Sequence, residues 1–323
     1  MGARVEWRAV IVDVERTHEY ADNDLVFCDV FANDAVDSRF EVGEEEPVDR
    51  EPAAELRLAG SRGTRDGVAP EVHALVTGVE YLPGALEVQA LHQLEAMPDG
   101  GVYAISIPEA PYRCPPGPYE RASQVASYFK KAKPRSKVLI LDANADVTSK
   151  GPLFKKFWAD NYAGMLEYRG SHKVTGVDAR TRTLKFDVHN DLKADVLNVL
   201  PSMRAGAIAV NTGLANINGR WCGVDYLNFE STVARDIHVV GDSIQLAPLM
   251  PKSGHMANSH GKVAAAAVVA QLSGLTVNPA PLLTNTCYSF VNDKLVVHVA
   301  SVHQYDAKDK TYKTVPGSGG VST

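Results

Sequence analysis

The chain has 323 residues, 45% of them hydrophobic and 22% charged, and a formal net charge of −6. That balance describes an ordinary globular protein with room for more than one domain, and its acidic surplus argues against a nucleic-acid partner. The one basic cluster, Lys130-Lys131-Ala132-Lys133-Pro134-Arg135, ends a helix-like run, where cations are favoured in any case.

No membrane span is expected, because the longest apolar run, Val263 to Leu272, is too short to cross a bilayer. Residues 1–30 show no basic start followed by an apolar block, so no signal peptide is visible. The four cysteines, Cys28, Cys114, Cys222 and Cys287, are too few and too scattered for a disulfide framework or a zinc ribbon. Their spacing selects no pairing.

Residues 1–92 read as an unmatched segment, disordered or translated in a shifted frame. Ala9 to Val12 and Leu25 to Val30 are short strand-like pieces, while Glu44-Glu45-Glu46 and the stretch from Asp49 to Gly67 read as exposed polypeptide. The glycines at Gly60, Gly63 and Gly67 lack the GxGxxG spacing of a dinucleotide turn.

From about Leu91 the texture changes to alternating strands and helices. Leu94 to Met97 closes a helical run, Pro98 to Gly101 turns, and Val102 to Ile107 is a strand. Tyr119 to Lys130 is a helix with Tyr119, Ala122, Val125, Ala126 and Phe129 on one face. Between them stands Cys114-Pro115-Pro116-Gly117-Pro118-Tyr119-Glu120. Prolines carry no N–H, so this strand-to-helix turn cannot cradle a pyrophosphate; what it offers is a thiol. Cys114 is expected in an extended segment beside a helix N-terminus, whose dipole favours a thiolate, with Glu120 in the first turn able to give or take a proton. The alternative is a buried, inert cysteine in a rigid turn.

Val138 to Leu141 reads as a buried strand ending in Asp142, and the βαβ succession implies a parallel sheet. Asp142 stands where a ribose contact would, but without a glycine turn a nicotinamide site is only weakly signalled. Leu153 to Tyr162 is a helix whose Phe154, Phe157 and Trp158 read as core. Leu166 to Tyr168, Val174 to Val177 and Leu184 to Val188 read as short antiparallel strands, and Ala194 to Leu200 as a buried strand halted by Pro201. Ile237 to Asp242 is an apolar strand ending in Gly241-Asp242. There glycine admits close approach of a ligand, and aspartate can accept a hydrogen bond from a sugar or ribityl hydroxyl. Lys252-Ser253-Gly254 precedes an alanine-rich helix, Ala257 to Leu272, that stops at Gly274 and aims its N-terminus at an electron-rich ring edge. The segment Thr284 to Ser289, with Cys287, and the alternation from Leu295 to Val302 suggest a hairpin or small sheet. The Gly/Ser-rich stretch Pro316 to Thr323 is expected to fray.

Five stretches taken together carry a resemblance: RCPPGPYERAS (Arg113 to Ser123), KADVLNVLP (Lys193 to Pro201), FESTVARDIHVVGD (Phe229 to Asp242), PLMPKSGHMANSHGKVAAAAV (Pro248 to Val268) and NTCYS (Asn285 to Ser289). From about residue 91 onward the chain resembles the flavoprotein subunit of flavocytochrome c sulfide dehydrogenase. The resemblance implies an α/β, glutathione-reductase-like fold of two dinucleotide-binding domains. Residues 93–206 would be the nucleotide-domain-like central domain, 207–276 a portion of an incomplete FAD domain, and 277–323 a small α+β cytochrome-interface domain. It further implies FAD as cofactor, sulfide as substrate, a c-type cytochrome as partner and periplasmic residence. A redox disulfide Cys114–Cys287 is implied, with Glu120 the nearby acid. Gly241 and Asp242 would bind FAD, and Lys252, Ser253 and Gly254 would form the loop that approaches the isoalloxazine; no metal is implied. Cys222 reads as a small buried apolar residue, and Cys28 lacks a recognisable setting for covalent FAD attachment. Two other readings compete: a sulfide:quinone reductase-like flavoprotein, against which the polar tail Asp306 to Thr323 speaks, and a family fragment that holds no cofactor.

Overall fold

The structure, a computed structural model, describes residues 92–322 together with the backbone of residues 9–11. The expectations for Leu25 to Val30, Cys28, Glu44 to Glu46 and Asp49 to Gly67 lie outside the described residues. In chain order the elements are β1 (Ala9–Ile11), β2 (Val102–Ile107), α1 (Gly117–Ala132), β3 (Lys137–Asp142), α2 (Gly151–Asn161) and β4 (Leu166–Arg169). There follow β5 (Val174–Asp178), β6 (Thr183–Phe186), β7 (Leu192–Lys193), β8 (Val196–Val199), α3 (Ala207–Asn211), β9 (Val224–Asp225), β10 (Glu230–Ser231) and β11 (Ile237–Val239). The chain continues through α4 (Gly254–Leu272), β12 (Leu282–Phe290), β13 (Val296–Asp306), β14 (Thr311–Thr314) and β15 (Gly320–Ser322).

The central sheet has the order β4-β3-β2-β8, with every neighbouring pair parallel. β2 and β3 are continuous apolar runs because both of their faces are covered. Parallel neighbours cannot be joined by a hairpin, and α1 supplies the crossover between them. Pro118 lies in its first turn, where a missing N–H costs nothing, and Lys130 and Lys131 close it. The predicted face is the buried one: Tyr119, Ala122, Val125, Ala126 and Phe129 pack on the sheet with Phe154 and Trp158 of α2. Burying a ring the size of Phe129 or Phe154 contributes roughly 2–3 kcal/mol.

Leu166 to Tyr168 departs from the antiparallel expectation. β4 pairs parallel with β3, from Val138↔Leu166 to Leu141↔Arg169, because α2 returns the chain to the end of the sheet at which β3 began. The antiparallel pieces are β5, β6 and β7, which form a separate three-stranded sheet.

A second core surrounds the sheet β1-β11-β10-β9, in which β1 runs parallel to β11 with Ala9 opposite Ile237. α4 starts earlier than the periodicity predicts, at Gly254, because Ser253 caps it: its hydroxyl accepts the Met256 N–H. Gly274, at φ +67°, follows its C-terminus as expected. The C-terminal sheet is β12-β13-β14, with β15 on the other side of β13. The tail is therefore paired rather than frayed through Ser322. Gly319 makes this possible, since a Cβ there would lie 2.1 Å from the Ala300 carbonyl oxygen and only glycine lets the backbones approach so closely.

Candidate functional site

Cys114 is held differently from the extended conformation expected of a residue before proline. Its φ is +50°, in the left-handed region. Two backbone hydrogen bonds impose this: its carbonyl accepts the Gly117 N–H at 2.8 Å, closing a turn over Pro115-Pro116, and its own N–H donates to the Lys252 carbonyl at 2.9 Å. A non-glycine residue in this region stores about 1–3 kcal/mol of strain, so the surrounding contacts must over-determine it. The residue is buried, at the mouth of α1. Glu120, one turn along, is also buried, and its Oε1 accepts the Phe290 N–H at 2.8 Å.

Cys287 arrives from the other end of the chain, in the middle of β12. Leu283, Asn285, Cys287 and Ser289 alternate onto the inward face, with Cys287 half-buried and its three companions buried. Both polar neighbours on that face are tied down. Ser253 Oγ donates to Asn285 Oδ1 at 2.5 Å, and Lys150 Nζ donates to Ser289 Oγ at 2.7 Å. The segments 113–120, 241–256 and 285–290 are thus joined by Cys114–Lys252, Ser253–Asn285 and Glu120–Phe290 contacts.

The Gly-Asp turn forms the third wall. Gly241 has φ +74° and opens a 3₁₀ turn, Gly241–Ser243. Asp242 Oδ2 accepts from Arg113 Nε at 2.5 Å, with the two side chains only 10% and 5% exposed. The backbone carbonyls of Asp242 and Ile244 accept from Lys252 Nζ at 2.6 and 2.9 Å. The same ammonium lies 3.6 Å from the centre of the Trp221 ring, a cation–π contact. In this structure, then, the Asp242 carboxylate meets the arginine beside Cys114, and Lys252 braces the loop from inside.

Of the residues predicted from sequence, direct hydrogen bonds join Cys114 to Lys252, Lys252 to Asp242, Ser253 to Asn285 and Glu120 to Phe290, and Gly254 is the first residue of α4; Cys114 and Cys287 are not disulfide-bonded in this structure. Sequence reasoning passed over Arg113, Lys150, Asn285 and His260. Arg113 was signalled by its place next to Cys114, and His260 by being a lone imidazole on the otherwise apolar stripe Met256, Ala257, Ala264, Ala267. Lys150 and Asn285 had no local signal.

His260 is 1% exposed, and burial, reinforced by the charges of Lys252 and His303, pushes its pKa down to about 3. The unfolded chain takes up a proton near pH 6.5 that the folded chain refuses. The resulting stability is fully present above that value and is lost progressively as pH falls from about 6.5 towards 3. Thermal denaturation should therefore show a midpoint that drops across this window, and His260→Asn should flatten the drop. An unchanged pH slope in that variant would refute the assignment.

Two other groups settle into structural roles. Asp142 accepts from Tyr119 and Tyr168 at Oδ2, at 2.7 and 3.1 Å, and from the Asn144 amide and side chain at Oδ1, at 2.9 and 2.7 Å. It anchors the hydroxyls of both tyrosines. Cys222 is fully buried, and burial pushes its thiol up to about 11, which leaves it inert. Among the described residues, no cluster of three or more His, Cys, Asp or Glu is placed to hold a metal, and no helix is long and apolar enough to cross a membrane.

Residues 88–201 match the family described as sulfide dehydrogenase (flavocytochrome c) flavoprotein chain, central, and residues 279–323 match flavocytochrome c sulphide dehydrogenase, flavin-binding. Among solved structures, the sulfide:quinone oxidoreductase of the hyperthermophilic bacterium Aquifex aeolicus superposes with a TM-score of 0.54 at 16% identity, over 74% of this chain and 58% of that one. A chain of the Tetrahymena thermophila mitochondrial ATP synthase superposes with a TM-score of 0.53 at 19% identity, over 67% of this chain and 53% of that one. At such identities the likeness is one of fold, the α/β architecture of two-dinucleotide-binding flavoproteins. The chain spans a little over half the length of each of these structures.

Proposed function

We propose that this chain, whose residues 88–201 and 279–323 match the central and flavin-binding models of the flavocytochrome c sulfide dehydrogenase flavoprotein, oxidises sulfide through a Cys114–Cys287 disulfide. The cofactor of these domains is FAD. The described residues suit its ring and ribityl arm: the positive-φ glycine turn admits close approach, and the N-terminus of α4 lies on the adjoining loop. The adenine half needs a glycine-rich turn after a first strand. β1 occupies that strand's place beside β11, yet Val12-Asp13-Val14 follow it with no glycine.

The observation that carries the proposal is the set of direct contacts that join the Cys114 turn, the Lys252-Ser253 loop and β12. In the reaction, hydrosulfide attacks one sulfur of the disulfide. A new S–S bond forms, the old one breaks, one cysteine keeps a persulfide and the other leaves as a thiolate. Glu120, buried in the first turn of α1 and oriented by the Phe290 N–H, is the group that takes the substrate proton. Bound FAD supplies the acceptor for the two electrons. Onward transfer to a c-type cytochrome, and a periplasmic setting in which a disulfide persists, belong to the same proposal.

The test is the visible spectrum of the purified protein, before and after anaerobic sulfide and again after denaturation and filtration. A flavin band that bleaches with sulfide is the expected result, and its retention by the denatured chain would mark covalent attachment. A colourless protein that cannot be reconstituted with FAD would overturn the proposal.

A further inference from the structure

Gly241 poses a local problem that its neighbours solve in an unusual way. The first N–H groups of a helical turn have no partner within the turn, and a buried N–H left unpaired costs about 1–3 kcal/mol. The Gly241 carbonyl closes the turn by accepting the Ile244 N–H, but its own N–H must look elsewhere. It donates to His260 Nδ1 at 3.2 Å.

That contact determines the state of the ring. An Nδ1 that accepts must be unprotonated, so the neutral tautomer carries its hydrogen on Nε2. An imidazolium would set one N–H against another. The ring plane is braced by Phe229, whose centroid lies 4.6 Å away and whose carbonyl accepts the Val239 N–H, tying the brace to the strand that leads into Gly241. Elsewhere on this stripe of α4 the chain uses Met256, Ala257, Ala264 and Ala267, side chains that bury at no polar cost. A histidine at the same depth is costly unless its acceptor is used.

We propose that His260 is a positioning residue for the flavin site: by accepting the Gly241 N–H it holds the Gly241–Ser243 turn in the conformation that presents Asp242 to the cofactor. Ser253, at the N-terminus of α4, and His260 lie seven residues apart, about 10 Å along a single helix. One rigid element thus sets both the helix end that adjoins the Lys-Ser-Gly loop and the glycine turn, and their separation is fixed by helix geometry. Arg113 at the Asp242 carboxylate and Lys252 at its carbonyl complete the grip on the turn. The link to the cofactor rests on the FAD reading given above; the link to the turn does not.

Asparagine and leucine have nearly the same shape, and Asn Oδ1 stands where His Nδ1 stands. Comparing His260→Asn with His260→Leu therefore isolates the acceptor from the volume lost in both. Two measurements are made on each: amide exchange of residues 237–246 in cofactor-free protein, and the Kd for added FAD. His260→Leu is expected to exchange that segment at least about tenfold faster than His260→Asn and to bind FAD about tenfold more weakly, while His260→Asn stays near the unaltered protein. Equal exchange in the two variants overturns the proposal whatever the flavin result. Different exchange with equal FAD affinity overturns the claim that the turn serves the cofactor. If the unaltered protein takes up no FAD, the cofactor reading fails on its own account, and the exchange contrast still decides whether His260 holds the turn.

Discussion

Replacing either Cys114 or Cys287 with serine is expected to abolish reduction of the flavin by sulfide, a loss on the order of 10³-fold or more, because in the proposed route each supplies one half of the bond that is broken. Serine keeps the size of cysteine but forms neither a disulfide nor a persulfide. At Cys114 the left-handed backbone is set by the Gly117 and Lys252 contacts, which serine leaves intact, so the fold and the flavin spectrum should survive. At Cys287 the strand register from Leu282 to Phe290 does not depend on the sulfur. Cys222 is the internal control. It is fully buried with its thiol pushed up to about 11, and Cys222→Ser should cost about 1–3 kcal/mol of stability by burying a hydroxyl in an apolar core, with little change in the rate of sulfide oxidation. Anaerobic stopped-flow following the flavin band separates these cases. Undiminished reduction in Cys114→Ser or Cys287→Ser would rule out the disulfide route.

How much of this was legible in the sequence depended on whether a local signal existed. β2, α1 and β3 announced themselves because strands covered on both faces are continuous apolar runs and a packed helix carries one apolar face. The direction of β4 did not, since four residues alternate alike in either orientation and only the α2 crossover decides between them. The backbone of Cys114 was misjudged for a related reason. A following proline pushes its predecessor towards extended conformations, but the hydrogen bond to Lys252, far away in sequence, outweighs that local preference. Composition likewise made Pro316 to Thr323 look frayed, whereas the glycine that suggests disorder is what lets β15 lie against β13. Cys114 stood out locally, in a proline-rich turn ahead of a helix, whereas Cys287 was linked to it only through the extended sequence resemblance, because the two share no local pattern. Arg113 escaped notice because its partner Asp242 lies 129 residues away. A basic residue before a cysteine reads as nothing until the partner is placed.

That pair is where substitution should cost the fold most. Arg113→Met leaves the Asp242 carboxylate in a site only 10% exposed without the guanidinium that meets it at 2.5 Å, and Asp242→Asn takes the opposite charge away from the 5%-exposed guanidinium. Breaking a buried ion pair from one side typically costs about 3–5 kcal/mol, since the surviving charge keeps its desolvation penalty and loses its compensation. For a chain of this size that corresponds to a fall in Tm of roughly 4–8 °C. Removing both charges together removes both penalties, so the double variant Arg113→Met, Asp242→Asn should recover most of the lost stability. It should not recover the function. The pair also ties the cysteine turn to the Gly-Asp turn, and a methionine beside an asparagine restores no bond between them. Sulfide-driven flavin reduction should therefore stay slow in the double variant even as its Tm returns. Thermal denaturation and anaerobic flavin reduction, measured on the same four proteins, read the two effects separately. A double variant as unstable as either single one would mean that the cost comes from lost packing rather than stranded charge, and one that regains full activity would mean that the tie between the two turns is dispensable.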